Sequence, residues 1–324
     1  MRMYDVITIG AGLRDVFLVS DAFVALKSKK FSTGVGECLA LGTKIELDDI
    51  VLTTGGGASN AAATFGSLGF KAAAMCKVGD DSPGRDVKLD LKRFGVSQRL
   101  VKTVKGDTGY SSLLTMKDGE RTVLVYRGVS AKFTPADISW SSLENTRWVY
   151  LTSLGGNMSL TSRIIRAAHK AEAKVAWNPG GRELKKRMKA IRPLLPMIDI
   201  LNMNLEEAQM LTGKKDLKAI FKAMHSDETV RLITDGTSGS YAHCNGQIIH
   251  AATTKAKAIS RTGAGDAFGS GFVSGIMKTH DVGEALQIGT LNAEAVIQKH
   301  GAKNGLLKTW PSSKKQQVIK LKSL

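Results

Sequence analysis

Apolar positions along the chain fall first into short extended runs separated by glycines, and later into a regular alternation of strand-like and helix-like segments. Residues 6–9 read as a first strand, and residues 16–26 and 43–53 as further extended segments broken by Gly34, Gly36 and Gly42. After the glycines at 55–57 an Ala-rich helix runs to Leu68, a strand follows over 70–78, and a helix over 84–94. Residues 109–116 and 122–126 are predicted to pair as a hairpin through Lys117-Asp118-Gly119-Glu120. Beyond residue 135 the pattern becomes strand, helix, strand, at 148–151, 160–171, 175–177, 187–195, 198–203 and 206–212. Such alternation predicts an α/β fold with a parallel sheet covered by helices. The extended segments near 16–53 and 107–127 are too many for one sheet and are assigned to a small β lid.

In a parallel sheet, ligands bind beyond the carboxyl ends of the strands. Asn178-Pro179-Gly180-Gly181, Asn204 and residues 234–239 each follow a strand-like run, so they should gather at that edge. The most informative stretch is Thr262-Gly263-Ala264-Gly265-Asp266-Ala267-Phe268. Phe268, Phe272 and Ile276 recur with helical spacing, so a helix opens at the glycines. The first turn of a helix offers backbone N–H groups without intrahelical partners and the positive end of the macrodipole, a combination that favours phosphate or a developing oxyanion. An Asp in that turn, beside a bound phosphoryl group, can take the proton of an attacking hydroxyl. The plainer reading is a loop followed by an Asp that merely caps the helix. A second cluster, Thr54-Gly55-Gly56-Gly57-Ala58-Ser59-Asn60, leaves backbone exposed for a hydroxyl-rich ligand.

Together the two clusters resemble the signatures of the ribokinase-like, or PfkB, carbohydrate kinases. Gly56-Gly57-Ala58-Ser59-Asn60 before an Ala-rich helix and Leu68-Gly69 is similar to the family's N-terminal signature, and Thr262 to Asp266 to its C-terminal one. Val78-Gly79-Asp80-Asp81, Asn204-Leu205-Glu206-Glu207, Thr234-Asp235-Gly236 and Gly119-Glu120-Arg121-Thr122 resemble further family segments, so the likeness spans roughly residues 4 to 302. It implies a ribokinase-like fold, doubly wound with a mostly parallel sheet and a small β lid, as one kinase domain over 1–324 with a basic tail at 312–324 that looks like an appendage. It also implies an ATP-dependent kinase acting on a sugar hydroxyl, with Asp266 as general base and the N–H groups of Gly263, Ala264 and Gly265 on the transferred phosphoryl group. Asp15, Gly56, Gly57 and Asn60 would orient the acceptor, with Arg127 either a substrate contact or an exposed rim residue. Thr234, Gly236, Gly239 and Asn292 would line the nucleotide pocket, while Asn204 and Glu207 order the waters of Mg²⁺, Glu207 holding the metal through water. One departure is Ser260, followed by Arg261, where relatives carry a cation-binding Asp; a monovalent cation is therefore a doubtful cofactor. A nucleoside kinase of the same family and a non-catalytic sugar-binding protein are the alternatives, and a homodimer through the lid is implied by family analogy alone.

Composition narrows the field. With 43% hydrophobic residues and no apolar run of membrane-spanning length, the chain reads as globular, and its N-terminus enters a strand without a signal-peptide pattern, so the expectation is a cytoplasmic protein with no membrane partner. Cys38, Cys76 and Cys244 are too few and too widely spaced for a disulfide framework or zinc cluster. The excess of 46 basic over 29 acidic residues, +17, attracts polyanions at low salt. Its lysines are scattered and only 6% of residues are aromatic, so no specific nucleic-acid binding is expected. Gly10-Ala11-Gly12-Leu13-Arg14-Asp15 begins like a dinucleotide fingerprint, but Asp15 occupies the third glycine position and would repel a pyrophosphate.

Overall fold

The computed structural model describes residues 2–117 and 120–324, so the tip of the predicted hairpin, Asp118-Gly119, lies outside the described residues. The N-terminal part runs β1 (Tyr4–Ile9), β2 (Leu13–Val19), β3 (Val24–Lys27), β4 (Val35–Cys38), β5 (Asp49–Gly55) and α1 (Gly57–Ser67). It continues through β6 (Ala72–Met75), β7 (Lys77–Gly79), α2 (Ser82–Arg93), β8 (Lys102–Val104), β9 (Tyr110–Thr115) and β10 (Arg121–Tyr126). The alternating part contains α3 (Trp140–Glu144), β11 (Thr146–Leu151), α4 (Met158–Lys170), β12 (Lys174–Trp177), α5 (Gly181–Leu184), α6 (Arg187–Ile191), β13 (Ile200–Asn204) and α7 (Leu205–Thr212). The chain ends with α8 (Leu217–Ala223), β14 (Val230–Thr234), β15 (Ser240–Cys244), β16 (Gln247–Ala251), α9 (Ala264–Thr279), α10 (Val282–Ile297), α11 (Ser313–Gln316) and β17 (Leu321–Ser323).

One sheet of nine strands is ordered β17-β16-β15-β14-β13-β12-β11-β1-β6. From β14 to β6 every pairing is parallel, and β15, β16 and β17 extend the sheet antiparallel. Strands covered on both faces must be apolar on both faces. Successive residues of β1 and β11 do divide this way: Ile7, Ile9, Val149 and Leu151 pack with α4, whereas Val6, Trp148 and Tyr150 pack with α1, α9 and α10. On the second side the helices crowd each other. A Cβ on Gly275 would lie 2.5 Å from Ala285 Cα, and one on Gly271 would lie 3.1 Å from Gly289 Cα, so these glycines let α9 and α10 pack backbone to backbone.

The second sheet, β10-β9-β2-β5, begins where the chain leaves the carboxyl end of β1. It is the sheet that the extended segments of 16–53 and 107–127 were expected to form, with β3 and β4 as a separate two-stranded excursion. Several expectations need correction. The strand over 70–78 divides at Cys76: β6 joins the main sheet beside β1, and β7 turns away to pair with β8. Residues 43–48 take no strand conformation. The helix over 187–195 is α6 followed by a 3₁₀ segment, Arg192–Met197, because Pro193 and Pro196 supply no N–H to an α-helical ladder.

The tail at 312–324 is no appendage. Ser312 caps α11 by accepting from the Lys315 N–H, β17 pairs with β16, and Ile319 is 1% exposed against the helices of the second side. Gln287 of α10 donates to the Ile319 carbonyl at 3.0 Å. Its basic residues misled the pattern because lysines alternate with the few side chains that dock. Ile319→Ala should therefore cost about 2–5 kcal/mol, the range for a fully buried aliphatic side chain. Urea midpoints of the variant and of a chain ending at residue 318 check this; unchanged midpoints would return the tail to solvent.

Candidate active site

Gly263 is the N-cap of α9, with a left-handed backbone at φ 84°. A Cβ there would lie 2.4 Å from the Ala302 side chain, so both backbone and packing require glycine. The helix ladder starts with the Ala267 N–H donating to the Gly263 carbonyl at 2.9 Å. Ala264, Gly265 and Asp266 form the first turn, where N–H groups have no intrahelical acceptor; that of Ala264 reaches only the Arg261 carbonyl, at 3.4 Å. Asp266 is thus not the cap. Its Oδ2 instead accepts from Asn60 Nδ2 at 2.8 Å, joining the start of α9 to the first turn of α1. Burial raises its carboxyl pKa, against the opposing pull of the Asn60 hydrogen bond and the nearby Lys303 charge.

Facing it, β2 carries Asp15, 6% exposed, opposite Ser111 of β9 and Thr53 of β5. Burial pushes the Asp15 carboxyl up to about 6, the Ser111 hydroxyl and Lys303 oppose this, and the Asp266 charge adds to it. The glycines of 55–57 allow the close fit. A Cβ on Gly55 would lie 1.9 Å from Asp15 Oδ2, and Gly56, at φ 93°, approaches the Ala11 carbonyl so closely that a Cβ would lie 2.5 Å from it.

Between these groups opens a cleft of about 330 Å³ at the carboxyl edge of the parallel strands. Ala11 follows β1, Thr152 and Ser153 follow β11, Asn178 follows β12, Asn204 ends β13 and Thr234 ends β14. The chain leaves β1 to one side and β11 to the other, so the cleft sits at a topological switch point. Of the predicted site residues, Gly57, Asn204, Glu207, Thr234, Gly263, Gly265 and Asp266 line it. Asn60 stands behind Asp266 through its hydrogen bond, Asp15 shares the field of Asp266, and Gly56 shapes the turn. Asn204 and Glu207 form a capping box, each accepting from the other's backbone N–H, at 2.8 and 3.0 Å. Burial raises the Glu207 pKa, and the charges of Asp266 and Glu206 add to the effect.

Other predicted residues fall elsewhere. Asn292 is fully buried and its amide is used within the fold: it donates to the Ala267 carbonyl at 2.8 Å and to Thr64 at 3.2 Å, and accepts from the Leu307 N–H at 3.0 Å. It braces α1, α9 and α10 and has no free group for a nucleotide. Gly239 turns at φ 100° against the Ala251 carbonyl, and Gly236 borders open space; neither lines the cleft. Arg127 is exposed just beyond β10. Ser260 is buried, its Oγ accepting from the Thr262 N–H at 3.3 Å, while Arg261 turns away from the cradle toward Glu120 at 3.6 Å. A larger groove at the amino ends of the strands is lined by Arg147, Asp5, Lys174 and Asp199, which pair with one another at 3.3 and 2.8 Å.

Sequence reasoning missed Lys303 and Asp90, an ion pair at 2.8 Å beneath the cleft, with the lysine side chain 1% exposed. The one signal available was a charged residue in the otherwise apolar and glycine-rich run after α10, Gly301-Ala302-Lys303-Asn304-Gly305-Leu306-Leu307. Tyr150 and Asn202, which press against Gly269 from below, were missed as well.

Comparison with known proteins agrees with this geometry. The sequence profile of the pfkB family carbohydrate kinases matches residues 27–310. An ATP-dependent ribose-1-phosphate kinase of Halopiger xanaduensis is 30% identical over 253 residues, 77% of this chain and 82% of that protein. The fold matches the ribokinase of Arabidopsis thaliana in complex with ribose and ATP, with a TM-score of 0.75 at 21% identity over 97% of both chains. It matches equally a nucleoside kinase of Methanocaldococcus jannaschii, with a TM-score of 0.75 at 20% identity over 98% of this chain and 99% of the other. A cleft built from both glycine signatures and a profile covering most of its length make this chain a sugar kinase that belongs to the pfkB family of carbohydrate kinases.

Proposed function

We propose that the protein transfers the terminal phosphoryl group of ATP to a hydroxyl of an unphosphorylated sugar or related polyol, with Asp266 as general base. The observation that carries this reading is the half-buried Asp266 carboxylate, held by Asn60 in the first turn of α9 beside N–H groups that the helix leaves free. The acceptor hydroxyl gives its proton to Asp266 as its oxygen attacks phosphorus. The bond from phosphorus to the bridging oxygen then breaks, and ADP leaves. Negative charge grows at the phosphoryl oxygens, where the N–H groups of Gly263, Ala264 and Gly265 and the helix dipole stabilise it.

Thr234, with Gly236 nearby, borders the nucleotide side, and Asp15 with the triglycine turn borders the acceptor. Among the described residues no group of three or more His, Cys, Asp or Glu is placed so as to hold a metal ion by itself. The donor set fits a hydrated Mg²⁺ that arrives with the nucleotide, since Glu207 and Asn204 reach the cleft and Mg²⁺ keeps most of its waters. Bound there, Mg²⁺ would neutralise phosphate charge. With Ser260 in place of a carboxylate, the loop before α9 offers no acidic side chain to a potassium ion. Among the described residues no helix is long and apolar enough to cross a membrane, which suits work in the cytoplasm. The sheet β10-β9-β2-β5 would serve as the lid, and its exposed edge strand β10 as the surface for a second copy. A nucleoside acceptor is the second reading, favoured by the nucleoside kinase among the structural relatives.

Asp266→Asn keeps the shape and removes the basicity, so turnover should fall by about 10²–10⁴ with ATP affinity near wild type. Steady-state kinetics beside ATP binding by calorimetry checks this, and near-normal turnover refutes the assignment. Turnover at fixed ionic strength should be alike in potassium, sodium and a bulky organic cation; a strong potassium requirement would place a cation site elsewhere in the loop. Asp15→Asn should raise the acceptor KM far more than Arg127→Ala if the acceptor is neutral, because a carboxylate accepts from paired hydroxyls and repels phosphate. The reverse order, with sugar phosphates preferred in a substrate panel, would show an anionic acceptor.

The same Asp15 variant has a signature in stability. A carboxyl at about 6 in the fold and near 3.8 when unfolded binds more protons folded than unfolded between those values. Stability therefore falls as pH rises through that window, and the ionised group costs on the order of 3 kcal/mol above it. Asp15→Asn should melt higher than wild type at pH 7.5 and lose that advantage near pH 4, as read by thermal denaturation.

A further inference from the structure

The turn that follows α10 touches both glycine motifs at once. A Cβ on Gly301 would lie 3.3 Å from the Thr53 methyl group, and Ala302 packs on Gly263. Lys303 then runs inward, completely enclosed. Its ammonium donates to Thr54 Oγ1 at 2.5 Å and to Ser59 Oγ at 2.8 Å, and reaches Asp90 Oδ2 at 2.8 Å. An ammonium has three protons and these are three acceptors, the hydrogen-bond set of the charged form. Thr54 in turn donates to Asp90 Oδ2 at 2.5 Å, so the chain of donors runs in one direction from lysine to carboxylate.

The positions of the acceptors give this cation its purpose. Thr54 is the residue before the triglycine turn of 55–57, and Ser59 is the residue before Asn60, whose amide holds Asp266. One buried side chain therefore ties the entry and exit of the turn that faces Asp15. A purely structural ion pair would balance its own charge, but Asp90 is shared with Arg93 of α2 at 3.0 Å. Positive charge is left over on the side of the cleft, where Asp15 and Asp266 have no cation in direct contact among the described residues.

We propose that Lys303 is a positioning residue for phosphoryl transfer, clasping the two flanks of the triglycine turn and supplying a buried counter-charge to Asp15 and Asp266. The charged and titratable groups around it are Asp90 and Arg93 from α2, Asp15 from β2, Asp266 from α9 and the buried Cys76 thiol between β6 and β7. Glu207 faces Asp266 from α7 and acts in the opposite sense. Burial lowers the lysine's own pKa while Asp90 and then Asp15 raise it, and the lysine lowers those of both cleft carboxylates.

The kinetic part of this inference rests on Asp266 and Asp15 acting as proposed; the electrostatic part does not, and the experiment separates them. The carboxyl carbons of Asp15 and Asp266, labelled with ¹³C and assigned with Asp15→Asn and Asp266→Asn, are titrated by NMR in wild type, Lys303→Met/Asp90→Asn and Lys303→Arg. The double variant removes both members of the Lys303–Asp90 pair, so neither is left buried without the other, and its folded state is checked by denaturation. In it the Asp15 carboxyl should titrate about one pH unit or more above wild type, and the acid limb of kcat/KM for the acceptor should move up with it. Lys303→Arg, which keeps a permanent cation at the position, should restore most of the wild-type behaviour. Titrations that move while the rate limb stays still support Lys303 as the counter-charge and count against Asp266 as the base. A folded double variant with wild-type titrations, or a folded Lys303→Arg variant that titrates like the double variant, overturns the proposal.

Discussion

The active centre depends on two helix N-termini meeting over one carboxylate. α1 and α9 open into the same cleft, and the bond from Asn60 to Asp266 fixes their separation. The first turns of both helices leave N–H groups unpaired, which is tolerable only where water or an anion can reach them. A cleft at the switch point of the sheet meets that condition, and the loops from β1, β11, β12, β13 and β14 all end there. The tight glycine contacts serve this end. Gly271 and Gly275 let α9 lie against α10, Gly263 lets its first turn reach Ala302, and the Ala-rich α1 fits between α9 and the sheet.

The same arrangement sets stability against function. Asp266 in the cleft and Asp15 beside it repel each other, and burial makes both reluctant to ionise. A core built for stability alone would carry neither. On the proposed mechanism the counter-charge cannot stand in the cleft itself, where it would bind phosphate in place of the backbone N–H groups of α9 and neutralise Asp266. It lies one layer below, on Lys303, screened from solvent and anchored by Asp90. This placement moderates the repulsion and leaves the space above the carboxylates open to the reactants.

What was legible in the sequence follows from chain distance. The triglycine turn, the Thr-Gly-Ala-Gly-Asp run and the capping box of Asn204 and Glu207 are local, and each is specified by neighbours a few residues away. The β11 to β14 alternation was equally plain, since its period is short. Lys303 bonds to Thr54 and Ser59 across 249 and 244 residues, so no local pattern marks it. The tail failed for a related reason: its lysines read as solvated, and only pairing with β16 reveals which face docks. Asn292 was misplaced because a conformational brace and a ligand contact use the same amide chemistry, and only the positions of Thr64, Ala267 and Leu307 decide between them.

Two electrostatic scales then work together. The net charge of +17 creates an attractive field for a polyanionic nucleotide, felt over distances comparable with the screening length of about 8–10 Å in physiological salt. In and beside the cleft the sign reverses locally, since Glu207 and Asp266 line it and Asp15 stands close by, in surroundings that screen them poorly. In the proposed transfer, phosphates drawn in by the surface field would be kept from the acceptor side by Asp15 and would find their partners at the start of α9 and, through a hydrated cation, beside Glu207. On that reading, the carboxylate whose burial costs stability would also sort the two reactants, polyanion to one side of Asp266 and hydroxyl to the other, before any bond is made.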